Sequence, residues 1–156
     1  MGQEAGRDRL AALGMFASAL AGRPAAVAAA QPGELPWTDG RTVYVDAGAS
    51  RAALEAVAVQ ASLVGAGSLA PDVMRRLVRH PRLARRYLAI EGHRALIANS
   101  AVLPGILASL GDRDIARRSE SPAASLEIAE GGGAIGDPAP PFGVMRAAKV
   151  LATCSR

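Results

Sequence analysis

Aromatic side chains are scarce in this sequence of 156 residues, since Phe, Trp and Tyr together make up 3% of it. The apolar half of the chain is therefore mostly Ala, Leu and Val, which bury less surface than aromatic rings do. A surface on which nucleic-acid bases stack needs several aromatic side chains interleaved with cations. The sequence has no such run, which argues against a stacking platform for nucleic acid.

Cysteine and long apolar runs are also lacking. Cys154 is the single cysteine, so no internal disulfide can form and nothing indicates an oxidising compartment. No run of eighteen apolar residues exists that could span a bilayer. The apolar stretch 10–30 is interrupted by Gly22-Arg23-Pro24 and has helical spacing, which favours an amphipathic helix over a signal peptide. We therefore expect a cytoplasmic protein without a membrane span.

Motifs that carry catalysis or metal binding are missing from the sequence. His80 and His93 lie thirteen residues apart without Cys or acid at ligand spacing, whereas a zinc site needs three or four ligands in a compact pattern. Residues 131–136 formally match a dinucleotide-binding fingerprint, but they follow a predicted helix instead of a strand. We predict no catalytic residue, no bound metal and no cofactor, and hence a protein that is not an enzyme.

The hydrophobic periodicity predicts a mainly α fold, an orthogonal or irregular helical domain. Ser121-Pro122 is typical of a helix start, and Ser68 is a candidate N-cap for a helix that begins near Pro71. The predicted helices cover residues 7–21, 50–64, a short stretch from 71, 81–99, 103–110 and 122–130.

Two short segments near the N-terminus have strand character. Residues 26–30 are apolar, and residues 42–46 are rich in β-branched and aromatic side chains. We expect them to pair as a small, irregular β-hairpin. The predicted organisation is then a helical interaction domain over 1–130 with its β element at 26–46, a Gly/Pro linker over 131–141, and the start of a further element over 142–156. This last segment is typical of a chain cut before its next domain.

The positive charge of the chain is concentrated between Arg75 and Arg94. This run holds seven arginines and two histidines against the single acid Glu91, whereas the remainder has 11 cations and 13 acids. Three interpretations are open: a solvated face whose arginine stems cover apolar neighbours, a surface for an acidic protein partner, or a surface for nucleic-acid phosphates. The candidate partner-binding residues are Arg75, Arg76, Arg79, Arg82, Arg85 and Arg86.

Glu91 and Arg94 are three residues apart on a predicted helix, where side chains at this spacing meet. Both lie near the apolar line, so we predict a structural ion pair that holds the helix against a neighbour. An enzyme would need a second acid beside this pair, and Glu55 is the only candidate on the preceding amphipathic helix.

Three segments resemble a known family when they are taken together. Residues 36–45 (PWTDGRTVYV) resemble a P-x-T-D-G-x-x-I-x-L signature, residues 59–68 (VQASLVGAGS) are similar to H-Q-A-x-H-x-x-x-G-S, and residues 90–94 (IEGHR) are similar to an E-D-x-R helix. These signatures occur ahead of the A domain in von Willebrand factor A-domain proteins of the nitric-oxide-reductase-activation and cobaltochelatase-subunit type.

The resemblance covers residues 8–130 and implies an accessory protein that works with a MoxR-type AAA+ ATPase in client-enzyme activation or metal loading. The two histidines of the second signature are not present, and neither is the A domain with its Asp-x-Ser-x-Ser metal site. The chain would then be a non-catalytic N-terminal portion that binds an acidic protein partner, with the AAA+ ATPase as one candidate. The alternative is a nucleic-acid-binding helical module that uses the same arginines.

Overall fold

Most of the described chain is helical, with one small sheet near the N-terminus, in the computed structural model, which describes residues 2–48 and 50–155. In chain order the elements are α1 (Gly2–Ala21), β1 (Ala26–Ala29), β2 (Trp37–Thr38), β3 (Thr42–Val45), α2 (Ser50–Gly65), α3 (Pro71–Leu77), α4 (Pro81–Ala98), α5 (Arg113–Ala116), α6 (Pro122–Glu130) and α7 (Ala147–Cys154). Two 3₁₀ helices lie in the connections: Gly105–Leu110 between α4 and α5, and Pro140–Phe142 between α6 and α7. The mainly α fold class predicted from periodicity is confirmed.

The helix starts follow from proline and from capping side chains. Proline occupies the first turn of α3, α4 and α6, where its fixed φ suits the helix and its missing N–H is not needed. Ser121 caps α6 as predicted, since its hydroxyl accepts a hydrogen bond from the Ala124 amide at 3.0 Å. The prediction that Ser68 caps α3 is wrong: the N-cap residue is Ala70, and the Ser68 hydroxyl instead donates to Glu91.

The sheet has three strands in the order β1-β3-β2. The expected hairpin between residues 26–30 and 42–46 is wrong, because β1 pairs with β3 in parallel. The antiparallel partner of β3 is β2, which the sequence pattern did not indicate. A turn at Asp39-Gly40 reverses the chain between β2 and β3: the Asp39 carboxylate accepts from the amides of Arg41 and Thr42, both at 2.8 Å, and Gly40 has a φ of +99°.

A first hydrophobic core lies between α1, α2, β3 and α4. Its buried side chains include Leu20, Val45, Val57, Leu96 and Phe142. α1 and α2 approach closely at Gly65, where an added Cβ would overlap the Leu20 carbonyl. No helix in the described part of the chain is both long and apolar enough to cross a membrane.

A second core joins α3, α4, α6 and α7, with Met74, Leu77, Tyr87, Leu126 and Val150 among its buried members. The segment after residue 141, which the sequence predicts to begin a further element, therefore packs into the same cores as the preceding helices. Phe142 is fully buried, and its carbonyl accepts a 2.6 Å hydrogen bond from the amide of buried Gln60.

Candidate partner-binding site

The six candidate arginines lie on α3, on α4 and in the turn between these helices. Val73, Met74 and Leu77 on α3 and Ala84, Tyr87 and Leu88 on α4 take the buried positions, which leaves the arginines on the outer face. Arg86 is half-buried and the other five are exposed. Arg79 stands in the tight turn with a φ of +68°, the one described non-glycine residue with a positive φ. Such a backbone is uncommon for a side chain with a Cβ.

A groove of about 710 Å³ lies between this turn and the C-terminal end of α6. Arg76, Arg79, Arg82 and Arg86 supply its cationic walls. The remaining lining residues are His80, Pro81, Leu83, Ala129, Glu130 and Gly131. The N-terminus of α4 opens here without a side-chain cap, so its helix dipole adds to the positive potential. The groove is shallow and open to solvent, so it is a surface site and not an enclosed cavity.

The arginines divide into two sets by their contacts. Arg76 forms an ion pair with Glu130, and Arg85 pairs with Asp137 at 2.9 Å. Arg86 donates to the carbonyl oxygens of Ala129, Gly131 and Gly133 at 2.8, 2.9 and 2.8 Å.

The second set consists of Arg75, Arg79 and Arg82. Within residues 2–48 and 50–155 their side chains make no hydrogen bond or ion pair to the protein, and all three are exposed. They are the guanidinium groups on this surface that remain available to an external anion.

Glu91 and Arg94 form the predicted ion pair, inside a buried polar cluster. Both oxygens of fully buried Glu91 accept from Arg94, at 2.7 and 2.6 Å. The same carboxylate accepts from Ser68 at 2.5 Å and from Ser125 at 2.8 Å. The hydroxyl of Tyr87 donates to the Ser68 carbonyl at 2.7 Å. The cluster thus joins α4 to α6 and to the α2–α3 turn.

The titration of this cluster follows from its burial and its pairing. Burial raises the pKa of Tyr87 above its usual value, and the nearby Glu91 carboxylate adds to that rise. The hydrogen bonds to Glu91 raise the pKa of the Arg94 guanidinium, against the opposing effect of its own burial. Each polar group has a partner and the carboxylate is closed off from solvent, which is the arrangement of a structural cluster.

Glu55 lies apart from the ion pair of Glu91 and Arg94. It is 3.9 Å from Arg51 and lines a separate cavity of about 300 Å³ together with Asp46 and three prolines. The structure therefore does not bring Glu55 together with Glu91 and Arg94.

The two histidines have different surroundings. His80 precedes α4 and lines the groove. His93 accepts a 2.9 Å hydrogen bond at Nδ1 from the Asp112 amide and lies against the Phe142 ring. Burial lowers the pKa of His93, with a smaller opposing effect from Asp112. Within the described ranges, no three His, Cys, Asp or Glu side chains are grouped so that they could hold a metal.

Comparison of the chain with protein-family models, with curated proteins and with solved structures found no match.

Two features of the site escaped the sequence analysis. One is the contact of the basic surface with residues 129–137, because a Gly-rich sequence gives no indication of what it packs against. The other is the set of serines around Glu91. Ser68 and Ser125 lie on different elements, and only the tertiary fold brings them to one carboxylate.

Proposed function

We propose that this chain is a non-catalytic interaction domain that binds an acidic protein partner in the arginine-lined groove. The observation that carries the proposal is the presence of Arg79 and Arg82 on one concave surface, both exposed and both without a protein acceptor among the described residues. Guanidinium groups bind carboxylates in a two-pronged geometry, which suits peptides rich in Asp and Glu.

The shape of the surface favours a bound partner over a merely solvated face. Arginines on an ordinary outer face lay their stems over apolar neighbours and keep their charged ends in water. Here four of them line a groove whose one carboxylate, Glu130, is already paired with Arg76. The positive φ of Arg79 fits this interpretation, because residues in sparsely populated backbone conformations cluster at binding sites.

The chemistry of the groove favours a peptide over a nucleic acid. Its lining combines the arginines with the apolar side chains of Pro81, Leu83 and Ala129, and it contains no Phe, Tyr or Trp. Single-stranded nucleic acids are usually bound by stacking on such rings. Trp37 and Tyr44, by contrast, stack on each other at 4.3 Å within the sheet. An acidic peptide with apolar side chains matches both kinds of lining group.

The identity of the partner follows only from the family resemblance. We propose that it belongs to an accessory system in which a MoxR-type AAA+ ATPase activates or loads a client enzyme, with this chain supplying a docking surface. The direct test is binding between the purified chain and a purified MoxR-type ATPase, with and without charge reversal in the groove.

The groove itself is tested with a fluorescein-labelled decaglutamate peptide and fluorescence anisotropy. The native chain should bind the peptide, and the variant Arg79→Glu/Arg82→Glu should bind it about tenfold more weakly or worse, because two attractive contacts become repulsive. The matched control is Arg7→Glu/Arg41→Glu, which makes the same change in net charge at two exposed arginines outside the groove.

Two results would contradict the proposal. One is equal loss of affinity in both variants, since it would mean that only net charge matters. The other is tight binding of a DNA duplex, lost in the groove variant, with no binding of the peptide. That result would favour the nucleic-acid alternative, whose affinity should fall steeply with salt.

A further inference from the structure

We infer that residues 130–137 act as an internal competitor, an acidic segment of the chain that occupies half of the basic surface until a partner displaces it. This inference rests on the proposed function, because it describes how the same surface is regulated. The segment reads EGGGAIGD, with one carboxylate at each end.

Arginines of the candidate site hold this segment in place. Glu130 pairs with Arg76, and Asp137 pairs with Arg85. Between them, Arg86 donates to the carbonyl oxygens of Gly131 and Gly133. Within the described residues, Arg85 and Arg86 donate every side-chain hydrogen bond that reaches residues 131–137. The segment therefore makes with these arginines the contacts that an acidic peptide would make.

The other attachment of the segment to the fold is at its first two residues: Glu130 ends α6, and the Gly131 amide donates to the carbonyl oxygens of Glu127 and Ile128 at 3.1 and 3.2 Å. Ile135 is half-buried, whereas residues 131–134, 136 and 137 are exposed. The two ion pairs are also accessible to water: the side chains of Arg85 and Asp137 are 61% and 81% exposed, and those of Arg76 and Glu130 are 61% and 32% exposed. Exposed ion pairs contribute little to stability, so a partner with several carboxylates can replace them at small cost. The glycines of the segment have no Cβ, so its backbone can adopt a different conformation without steric hindrance from side chains.

Displacement of the segment would increase the number of arginine side chains that can bind an external anion. With the segment in place, Arg75, Arg79 and Arg82 are available to an external anion. With the segment released, the side chains of Glu130 and Asp137 free Arg76 and Arg85, and Arg86 keeps only its hydrogen bond to the Ala129 carbonyl. The wall of the groove formed by Gly131 is then opened. The fully available guanidinium groups rise from three to five, and a longer acidic peptide can then bind than the resting groove admits.

The experiment neutralises the segment without touching the arginines. The variant Glu130→Gln/Asp137→Asn removes both carboxylates, and Glu4→Gln/Asp8→Asn removes two exposed carboxylates on α1 as the matched control for net charge. Labelled decaglutamate should bind the first variant about three- to tenfold more tightly than the control variant, since two exposed ion pairs no longer compete.

Equal affinity of the two variants would overturn the inference and leave the proposed function intact, provided that the native chain binds the peptide and the Arg79→Glu/Arg82→Glu variant does not. Failure of every variant to bind the peptide would overturn the proposed function and this inference with it.

A second measurement follows the segment directly. An added Cβ at Gly133 meets no atom within 4 Å, and the φ of this residue is not in the positive region. A nitroxide label on Gly133→Cys, in a background where Cys154→Ser removes the native thiol, should therefore leave the fold unchanged. Saturating decaglutamate should narrow the lines of the electron paramagnetic resonance spectrum, because the label moves faster once the segment is released. Unchanged or broader lines would contradict displacement.

Discussion

The buried ion pair gives the sharpest stability prediction. In the variant Arg94→Met, Glu91 keeps the hydroxyl donors Ser68 and Ser125 but loses its charged partner while it remains fully buried. Removing one member of a buried pair costs about 3–5 kcal/mol. The Arg94 side chain is 15% exposed, so water can partly replace it and we expect a loss near 3 kcal/mol.

Urea unfolding monitored by circular dichroism measures this loss. In thermal unfolding it corresponds to a fall in Tm of about 6–12 °C for a chain of this size. The double variant Glu91→Met/Arg94→Met provides the control, because it leaves no unpaired buried charge and costs only the acceptor of the Ser68 and Ser125 hydroxyls. The double variant should therefore be more stable than Arg94→Met alone. A loss below about 1 kcal/mol in the single variant, or additive effects of the two substitutions, would refute the role assigned to the pair.

Three further predictions concern the packing and the titration of the same region. Gly92→Ala should destabilise the chain by about 1–3 kcal/mol in urea unfolding, because the new Cβ would lie 2.5 Å from Cδ2 of Phe142. Lowering the pH below about 6.5 should reduce the free energy of unfolding, since burial lowers the pKa of His93 in the folded state and the unfolded chain then binds more protons. Ser121→Ala should cost about 1 kcal/mol, because the Ala124 amide loses its acceptor.

Each of these predictions has a control. Gly6→Ala on α1 introduces a Cβ with no atom within 4 Å, so it should not destabilise the chain, and an equal loss in both glycine variants would contradict the steric argument. His93→Asn should flatten the fall in the free energy of unfolding below about pH 6.5, and an unchanged pH dependence in this variant would contradict the role of His93. The capping argument would be wrong if Ser121→Ala and Ser100→Ala were equally destabilising, since Ser100 is exposed and lies outside the helices.

Local chemistry explains what could be predicted of the fold. Pro71, Pro81 and Pro122 each mark a helix start. This signal can be read from the sequence because it depends only on the proline and its immediate neighbours. The pairing of the strands was not predictable in the same way. The two-residue strand β2 is too short to give an alternating pattern, and it takes the edge of β3 that a simple hairpin would have used.

In the candidate site too, local contacts could be predicted and contacts between distant residues could not. The spacing of Glu91 and Arg94 predicts their ion pair, since one helical turn brings them together. The concentration of arginines on α3 and α4 is equally visible in the sequence. Which guanidinium groups remain available depends on Glu130 and Asp137, which lie about fifty residues away in the chain. Contacts over that separation are set by the packing of α6 on α4 and leave no local pattern.

The arginine side chains report most directly on the central claim that this molecule acts by binding an acidic partner in the groove. Titration of the native, ¹⁵N-labelled chain with decaglutamate can be followed through the arginine Nε–Hε resonances. The largest shifts should be those of Arg79 and Arg82, and those of Arg7 and Arg41 should stay nearly constant. Uniform small shifts, or shifts centred on Arg113 and Arg117 of the α5 region, would contradict the account.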